Sequence, residues 1–376
     1  MSYLDKLLQG VEVEWKPLAH KEYGVAELSR GRVMSKEYLA DNAGEYPVYS
    51  SQTANNGEIG KIKTFDHDGE AVTWTTDGAN AGTVFHRTGK FSITNVCGLI
   101  KVKNIEELNY KFLFYWLSIE AKKHVYSGMG NPKLMSNQMA KIPIPIPPLS
   151  VQKEIVRILD SFTELTAELT AELTAELTAR KKQYDYYREK LLSFEEGDVE
   201  WKALGEVALI GTGKHDTQDA VDNGDYIFYA RGISPLKLDT YDFEETAIIT
   251  AGDGVGVGKV FHWAVGKYAL HQRAYRIVPN EKEINPRYVY HYIVTNFYSY
   301  IEKTSVSSSV TSMRKPMFLK FPIPIPSLEE QERIVSILDK FDTLTTSISE
   351  GLPREIVLRQ KQYEYYRDKL LTFPKN

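Results

Sequence analysis

The sequence predicts an α+β protein: two similar mixed α/β heads separated by two long antiparallel helices, with approximate two-fold symmetry and a circularly permuted repeat. Three observations predict it. KIPIPIPPLSVQKEIVRILDSF at Lys141 returns as KFPIPIPSLEEQERIVSILDKF at Lys320. RKKQYDYYREKLLSF at Arg180 returns, at the same offset, as RQKQYEYYRDKLLTF at Arg359. YLDKLLQGVEVEWKPL at Tyr3 echoes YREKLLSFEEGDVEWKAL at Tyr187, so the first residues read as the tail of a unit whose beginning lies near the C-terminus. A unit written twice, with both chain ends inside the same kind of segment, implies that N- and C-terminal pieces lie together.

In order along the chain, residues 1–20 complete the repeated segment and residues 21–148 form the first head. Residues 149–196 form a central helix, 197–326 a second head and 327–376 a distal helix. In the first head, EYPVYSSQTANNGEIGKIKTF, EAVTWTTDG, GTVFHRTGKFSITN and GLIKVKN alternate as short strands between Gly and Asn turns. DYIFYARGISPLKLDTY, TAIITAGDG, GKVFHWAVGKYALHQ and AYRIVPN answer them in the second. GTVFH and GKVFH match, as do Asp77-Gly78 and Asp253-Gly254, and a helical stretch follows each set of strands. The halves share a scaffold and differ in most loop residues, which is how two specificities are mounted on one frame.

The Pro-broken PIPIPP and PIPIPS runs cannot be helical and hand the chain to a helix, with Ser150 or Ser327 as N-cap. Ile155, Ile158, Leu159, Phe162, Leu165 and Leu169 then recur at three- and four-residue steps, and Ile334, Ile337, Leu338, Phe341 and Leu344 copy them. Tyr184, Tyr187 and Leu191 share a face, as do Tyr363, Tyr366 and Leu370, and read as helix–helix core. Gly351 and Pro353 should interrupt the distal helix, with Glu355 near its restart.

From Thr166 to Leu177 the central helix reads TAELTAELTAEL. At about 100° per residue a leucine every fourth position slides about 40° per tetrad, so Leu165, Leu169, Leu173 and Leu177 cannot hold one straight seam. Glu164, Glu168, Glu172 and Glu176 also stand like charges four apart. Yet Ala, Glu and Leu are strong helix formers, and no Gly or Pro intervenes. The blander reading is a solvated helical linker. The sharper one is a ruler marked by Thr166, Leu169, Thr170, Leu173, Thr174 and Leu177, whose length matters more than its side chains.

Composition bounds the chemistry. The 376 residues suffice for two domains, with 42% hydrophobic and 26% charged residues. No apolar run approaches the roughly 20 residues of a membrane helix, and the start lacks a signal-peptide layout. Cys97 is the single cysteine, so neither an intrachain disulfide nor a cysteine-built zinc site exists, and a cytoplasmic location is expected. A net charge of −4 means that DNA contact must come from local basic surface or be shared with a partner.

Catalytic signatures fail on inspection. GDGVGVGK at Gly252 lacks the Ser or Thr of a P-loop, since Val260 follows Lys259, and reads as a turn between strands. GTGKH at Gly211 has His215 in place of the hydroxyl residue. Asn131-Pro132-Lys133-Leu134 is similar to the Asn-Pro-Pro-aromatic signature of amino-methyltransferases but has no aromatic residue. His86 and His262 correspond in sequence and, with no second ligand nearby, read as satisfied strand histidines. Neither a catalytic residue nor a metal ligand is expected.

The loops do carry groups suited to reading bases. Ser51, Gln52, Thr53, Asn55 and Asn56 crowd one turn, and amides pair in bidentate fashion with adenine edges. The matching turn of the second half carries Arg231, the residue type that reads guanine. Lys61, Lys63, Arg87 and Lys90, with Lys214, Lys237, Lys259 and Arg273, offer phosphate contacts, and Trp74 completes the candidate set. Each alone reads more readily as a solvated polar side chain, and only their paired arrangement lifts the functional reading.

The doubled PIPIPP-type segment, the doubled KQYxYYRxKLL and the TAEL tetrads between two variable halves resemble the specificity subunits of type I restriction–modification enzymes, over essentially the whole chain. That resemblance implies two target recognition domains, each reading one half of a split double-stranded DNA sequence, and no chemistry by the chain itself. It implies two modification subunits that bind S-adenosylmethionine and methylate adenine. It also implies restriction subunits that use ATP and Mg, no membrane, no cofactor on this chain, and a tetrad number that sets the spacer. Two rivals remain: a self-contained nucleotide-dependent or methyl-transferring enzyme, and a coiled-coil scaffold without DNA specificity.

Overall fold

The computed structural model describes residues 3–128, 130–195, 197–254, 256–304, 313–347 and 349–374. The chain divides into two compact units, Met1–Ala171 with Val357–Asn376, and Glu172–Ile356. Among the described residues no helix is long and apolar enough to cross a membrane.

The first unit opens with α1 (Tyr3–Leu8), β1 (Glu14–Pro17), β2 (Ala26–Arg30), α2 (Lys36–Asp41), β3 (Ala43–Tyr49) and β4 (Glu58–Ile62). Then come β5 (Ala71–Thr75), β6 (Val84–Arg87), β7 (Ser92–Ile93), β8 (Cys97–Val102), α3 (Tyr110–Glu120), α4 (Ser136–Met139) and β9 (Pro143–Ile146), before α5 (Leu149–Leu191) begins. Its strands form one sheet in the order β2-β8-β5-β6, another in the order β4-β3-β7, and the pair β1-β9. The central strand β5, AVTWT, is buried along its whole length. Trp74, Phe112, Leu113, Ile155, Leu159, Leu370 and Phe373 belong to one core, so the head rests on the repeated helices.

The second unit comprises β10 (Glu200–Ala203), α6 (Leu204–Val207), β11 (Ala208–Thr212), β12 (Tyr226–Tyr229), β13 (Leu236–Leu238), β14 (Phe243–Ala251) and β15 (Phe261–Leu270). It continues through β16 (Ala274–Pro279), α7 (Pro286–Thr304), α8 (Lys315–Leu319), β17 (Pro322–Ile325), α9 (Leu328–Thr346) and the start of α10 (Gly351–Leu370). One six-stranded sheet, β11-β16-β14-β15-β12-β13, replaces the two head sheets of the first unit. The reason lies in one stretch: β15 runs unbroken, whereas residues 88–91 divide β6 from β7. Both units therefore share one mixed α/β frame.

The repeated segments form the same parts twice. Trp15 of β1 pairs with Pro145 of β9, and Trp201 of β10 with Pro324 of β17. Two-stranded ladders tolerate these prolines because each strand has a free edge. Buried Gln152 accepts from Asn109 N at 2.9 Å and donates to the Glu107 and Pro147 carbonyls, both at 2.8 Å. Gln331 does the same with Asn285 N and the Pro326 carbonyl, each at 2.8 Å.

Beyond the glutamine, each unit clamps its head helix to the helix pair. In the first, Lys111 and the Tyr115 hydroxyl of α3 reach Asp160 at 2.7 and 2.8 Å, and Thr163 donates to the Tyr363 hydroxyl at 3.1 Å. In the second, Arg287 and His291 of α7 reach Asp339 at 2.8 and 2.7 Å. Arg287 also reaches Asp342, and Tyr184 donates to that same carboxylate at 3.1 Å. The ligand-type atoms of His291, Asp339 and Asp342 lie within 4.8 Å of one another, but the Arg287 guanidinium already supplies their cation. Burial opposes the ionisation of Asp339, yet the hydrogen bonds from His291 and Arg287 hold its pKa below the usual carboxylate value. Phe162 on Tyr366, and Tyr184 on Phe341, confirm the tyrosine stripes as helix–helix contacts.

Three expectations need correction. Ser327 caps α9, accepting from Glu330 N at 3.2 Å, but α5 begins at Leu149, so Pro148 holds the equivalent position and Ser150 lies inside the first turn. The distal helix stops at Thr346 and restarts at Gly351, not near Glu355, because Pro353 fits a first helical turn where no N–H partner is needed. His86 and His262 are not structural equivalents. His86 lies opposite Val72 and nears Phe114 of α3, whereas His262 lies opposite Ile249 and nears Tyr229 of β12. The identical VFH strings are one residue out of step, which turns the imidazoles to opposite faces.

Candidate nucleic-acid interface

In the first head the polar turn follows β3. Asn55 and Asn56 both adopt left-handed backbone, with φ of 48° and 55°, and Gly57 follows at 83°. Asparagine tolerates this conformation better than other side chains, so NNG closes a turn that most sequences could not. Ser50 N donates to the Gly57 carbonyl at 3.0 Å, and Thr94 Oγ1 to Ser50 Oγ at 2.9 Å. Thr53, Asn55 and Asn56 are exposed, while Ser51 is half-buried. The half-buried Gln52 donates its amide to the Ala54 and Glu58 carbonyls, so it builds the turn as much as it faces out.

Two candidates from this half are corrected. Trp74 has no exposed surface, and its indole N–H donates to the Leu134 carbonyl at 2.9 Å, making it core. Arg87 is 3% exposed and cannot meet a phosphate. It donates to Thr73 Oγ1 at 3.2 Å and to the Asn56 carbonyl at 2.7 Å, with its guanidinium 3.6 Å from the Tyr49 ring centre. Burial draws its pKa below the ordinary guanidinium value, and also pushes the neighbouring Cys97 thiol up to about 12. Lys61, Lys63 and Lys90 are exposed, Lys90 with its ammonium 4.7 Å from the Phe65 ring centre.

In the second head Arg231 follows β12, as Ser51 follows β3. Arg231 and Arg273 converge on one carboxylate, Asp253, at 2.8 and 3.0 Å. Burial alone would raise the Asp253 pKa, but the two arginine hydrogen bonds bring it below the usual value. Two cations on one anion leave a net positive charge at the head's glycine turn. His271, whose Nδ1 accepts from Arg273 N at 2.9 Å, is buried, and desolvation, then the charge of Arg231, lowers its pKa. Lys259 lies exposed with its ammonium 4.7 Å from the Tyr298 ring centre. Lys237 is exposed on the edge strand β13, a position where lysine also discourages strand pairing. Lys214 is tied to Asp242 at 3.1 Å, beside His215, and so helps to fix its own loop.

The structure thus joins Gln52, Asn56 and Arg87 in one turn, and Arg231 with Arg273 in another. Sequence reading missed Asp253 as their organiser and Tyr49 as the platform under Arg87. The Asp77-Gly78 and Asp253-Gly254 match was the available signal for the first.

The tetrad helix supplies no tight packing. The fully buried residues of α5 end at Leu159, and Leu165 is half-exposed. Thr166 and Leu169 border a cavity of about 280 Å³ shared with Arg359, Gln362, Tyr363 and Tyr366. Leu173 and Leu177 are half-buried, while Thr170 directly follows Leu169 and Thr174 directly follows Leu173 on the same helix.

A sequence profile described as the type I restriction modification DNA specificity domain matches twice, over residues 12–179 and 196–358. The chain is 36% identical to a type I restriction enzyme specificity subunit of Escherichia coli, over 100% of this chain and 98% of that protein. Its fold is similar to a solved chain of a type I R-M system, with a TM-score of 0.64 at 16% identity over 97% of this chain and 98% of that one. It is also similar to the S subunit of a type I restriction–modification system from M. genitalium, with a TM-score of 0.54 at 18% identity and full coverage of both chains.

Proposed function

The chain belongs to the type I restriction modification DNA specificity family, and on that premise we propose that each head reads one half of a split DNA sequence while the tetrad helix sets the gap. It is a DNA specificity subunit with two recognition domains. One observation carries the proposal furthest: a single frame presents an amide-rich turn in one head and a paired-arginine turn in the other. Asn55 and Asn56 have the donor and acceptor pattern for adenine, and Arg231 or Arg273 that for guanine. Lys61, Lys63, Lys90, Lys237 and Lys259 are exposed cations for phosphates, which position a duplex without reading it.

The spacer follows from helix arithmetic. A tetrad lengthens a helix by about 6 Å, and a duplex advances about 3.4 Å per base pair, so one tetrad shifts the reading by at most about two pairs. Because 160–191 contains no fully buried residue, tetrads can be gained or lost without opening a cavity.

The chain assembles with two modification subunits, which bind S-adenosylmethionine and methylate adenine, and with restriction subunits that use ATP and Mg. Those partners lie on the acidic tetrads and the repeated helices, and their basic surface offsets the net charge of −4. Mapping methylated adenine across the genome of cells carrying the three subunits tests the proposal. The expected result is one bipartite motif with a fixed gap. A contiguous motif, or none, would refute it.

A further inference from the structure

The first head invests a buried arginine in one turn. Among the described residues no carboxylate pairs with Arg87, so the charge is retained under the turn at a desolvation cost. Its planar fork spans Thr73 Oγ1 and the Asn56 carbonyl while its face covers Tyr49. A lysine offers one point charge and no such fork. The carbonyl it grips belongs to the second of two left-handed asparagines, the residues whose side chains face outward. A Cβ on the next residue, Gly57, would stand 3.1 Å from Arg87 Nη2, so the guanidinium fills the space under the turn.

The second head repeats this device with different chemistry. His262 of β15 lies 5.1 Å from the Tyr229 ring, as Arg87 of β6 lies over the Tyr49 ring. Tyr49 ends β3 and Tyr229 ends β12, the strands that lead into the two turns. His262 Nε2 donates to the Gly232 carbonyl at 3.0 Å, next to Arg231, and burial lowers its pKa against the opposing effect of this bond. Both heads therefore brace the outgoing turn from the strand that follows β5 or β14, over a tyrosine, through one backbone carbonyl.

We propose that Arg87 and His262 are positioning residues for DNA recognition, each fixing the base-reading turn of its own head without touching DNA. This rests on the reading of the heads as DNA readers. The test is the adenine methylome of cells carrying the intact complex with R87M, R87K, G57A or H262F. R87M and R87K should relax one half of the motif, raising methylation at its single-mismatch sites by about tenfold. G57A should relax the same half, by straining the left-handed backbone at Gly57 and crowding the guanidinium, and H262F should relax the other half only. A purely structural role for these side chains would lower methylation without broadening the motif. If R87M abolishes methylation through misfolding, R87K and G57A decide the matter. Variants that keep both halves sharp, or that all relax the same half, overturn the inference while leaving a bipartite wild-type motif intact. A wild-type complex with no bipartite motif overturns the reading beneath it.

Discussion

Residues 84–93 of the first head and β15 of the second start from nearly the same sequence, yet one is broken and the other is not. Val84–Arg87 and Ser92–Ile93 are separate strands, and their head holds two sheets. Phe261–Leu270 is continuous, and its head holds one sheet of six strands. The outgoing turns differ as much. One is closed by two left-handed asparagines over a buried arginine, the other is open enough for two arginines to share Asp253. By contrast, the ladder, the buried glutamine and the clamp recur at matching positions. Constancy lies where each head meets the helices, and divergence lies at the turns that face outward. A family that changes its target needs that division, because loop chemistry can then vary while the docking of head on helix stays fixed.

The largest expected effect breaks the constant part. Gln152 makes three buried hydrogen bonds and Gln331 two, so Q152A should cost about 2–4 kcal/mol and Q331A about 1 kcal/mol less. Hydrogen exchange of α3 and α7 under increasing urea would read each separately. Equal losses would mean that the third bond, to Glu107, contributes nothing.

The clamps come next. Removing Arg287 leaves Asp339 and Asp342 facing each other, so R287M should cost about 1–2 kcal/mol. K111M breaks a more exposed pair and should cost less than about 1 kcal/mol. Denaturant midpoints of the two variants give the comparison, and a reversed order would contradict the view of the second clamp as the tighter one.

Acid should separate the heads by a smaller margin. Burial lowers the pKa of His262 and His271 in the second head, and of His67 in the first. A histidine whose folded pKa is depressed binds fewer protons folded than unfolded. Its full stability is present above about 6.5 and is lost as pH falls through that value toward the folded pKa. The second head should therefore soften more as pH falls below about 6.5. Exchange rates in β14 rising no faster than those in β5 over this range would contradict it.

Much of this frame was legible in the sequence. The doubled segments announced the helices and the tyrosine contacts, because periodic apolar patterns and proline breaks act locally, but not the pairing of β1 with β9 or β10 with β17. Beyond the two misplaced helix starts, the failures were of two kinds. The VFH strings misled because identity in letters does not fix strand register, and a one-residue slip turns every side chain over. Arg87 and Trp74 misled because charge and aromaticity say nothing of depth. Only the covering of β5 and the Tyr49 platform put them inside. Asp253 was visible as half of a repeated Asp-Gly pair, but its role needed two arginines distant in sequence to meet on it.

The account depends above all on the two readers being independent of the distance between them. Deleting Thr170 to Leu173, one tetrad, and mapping methylated adenine in cells carrying the intact complex tests this directly. The predicted result is a motif with both half-sequences unchanged and its gap shortened by one or two base pairs. An unaltered gap, or a change in either half-sequence, would contradict it.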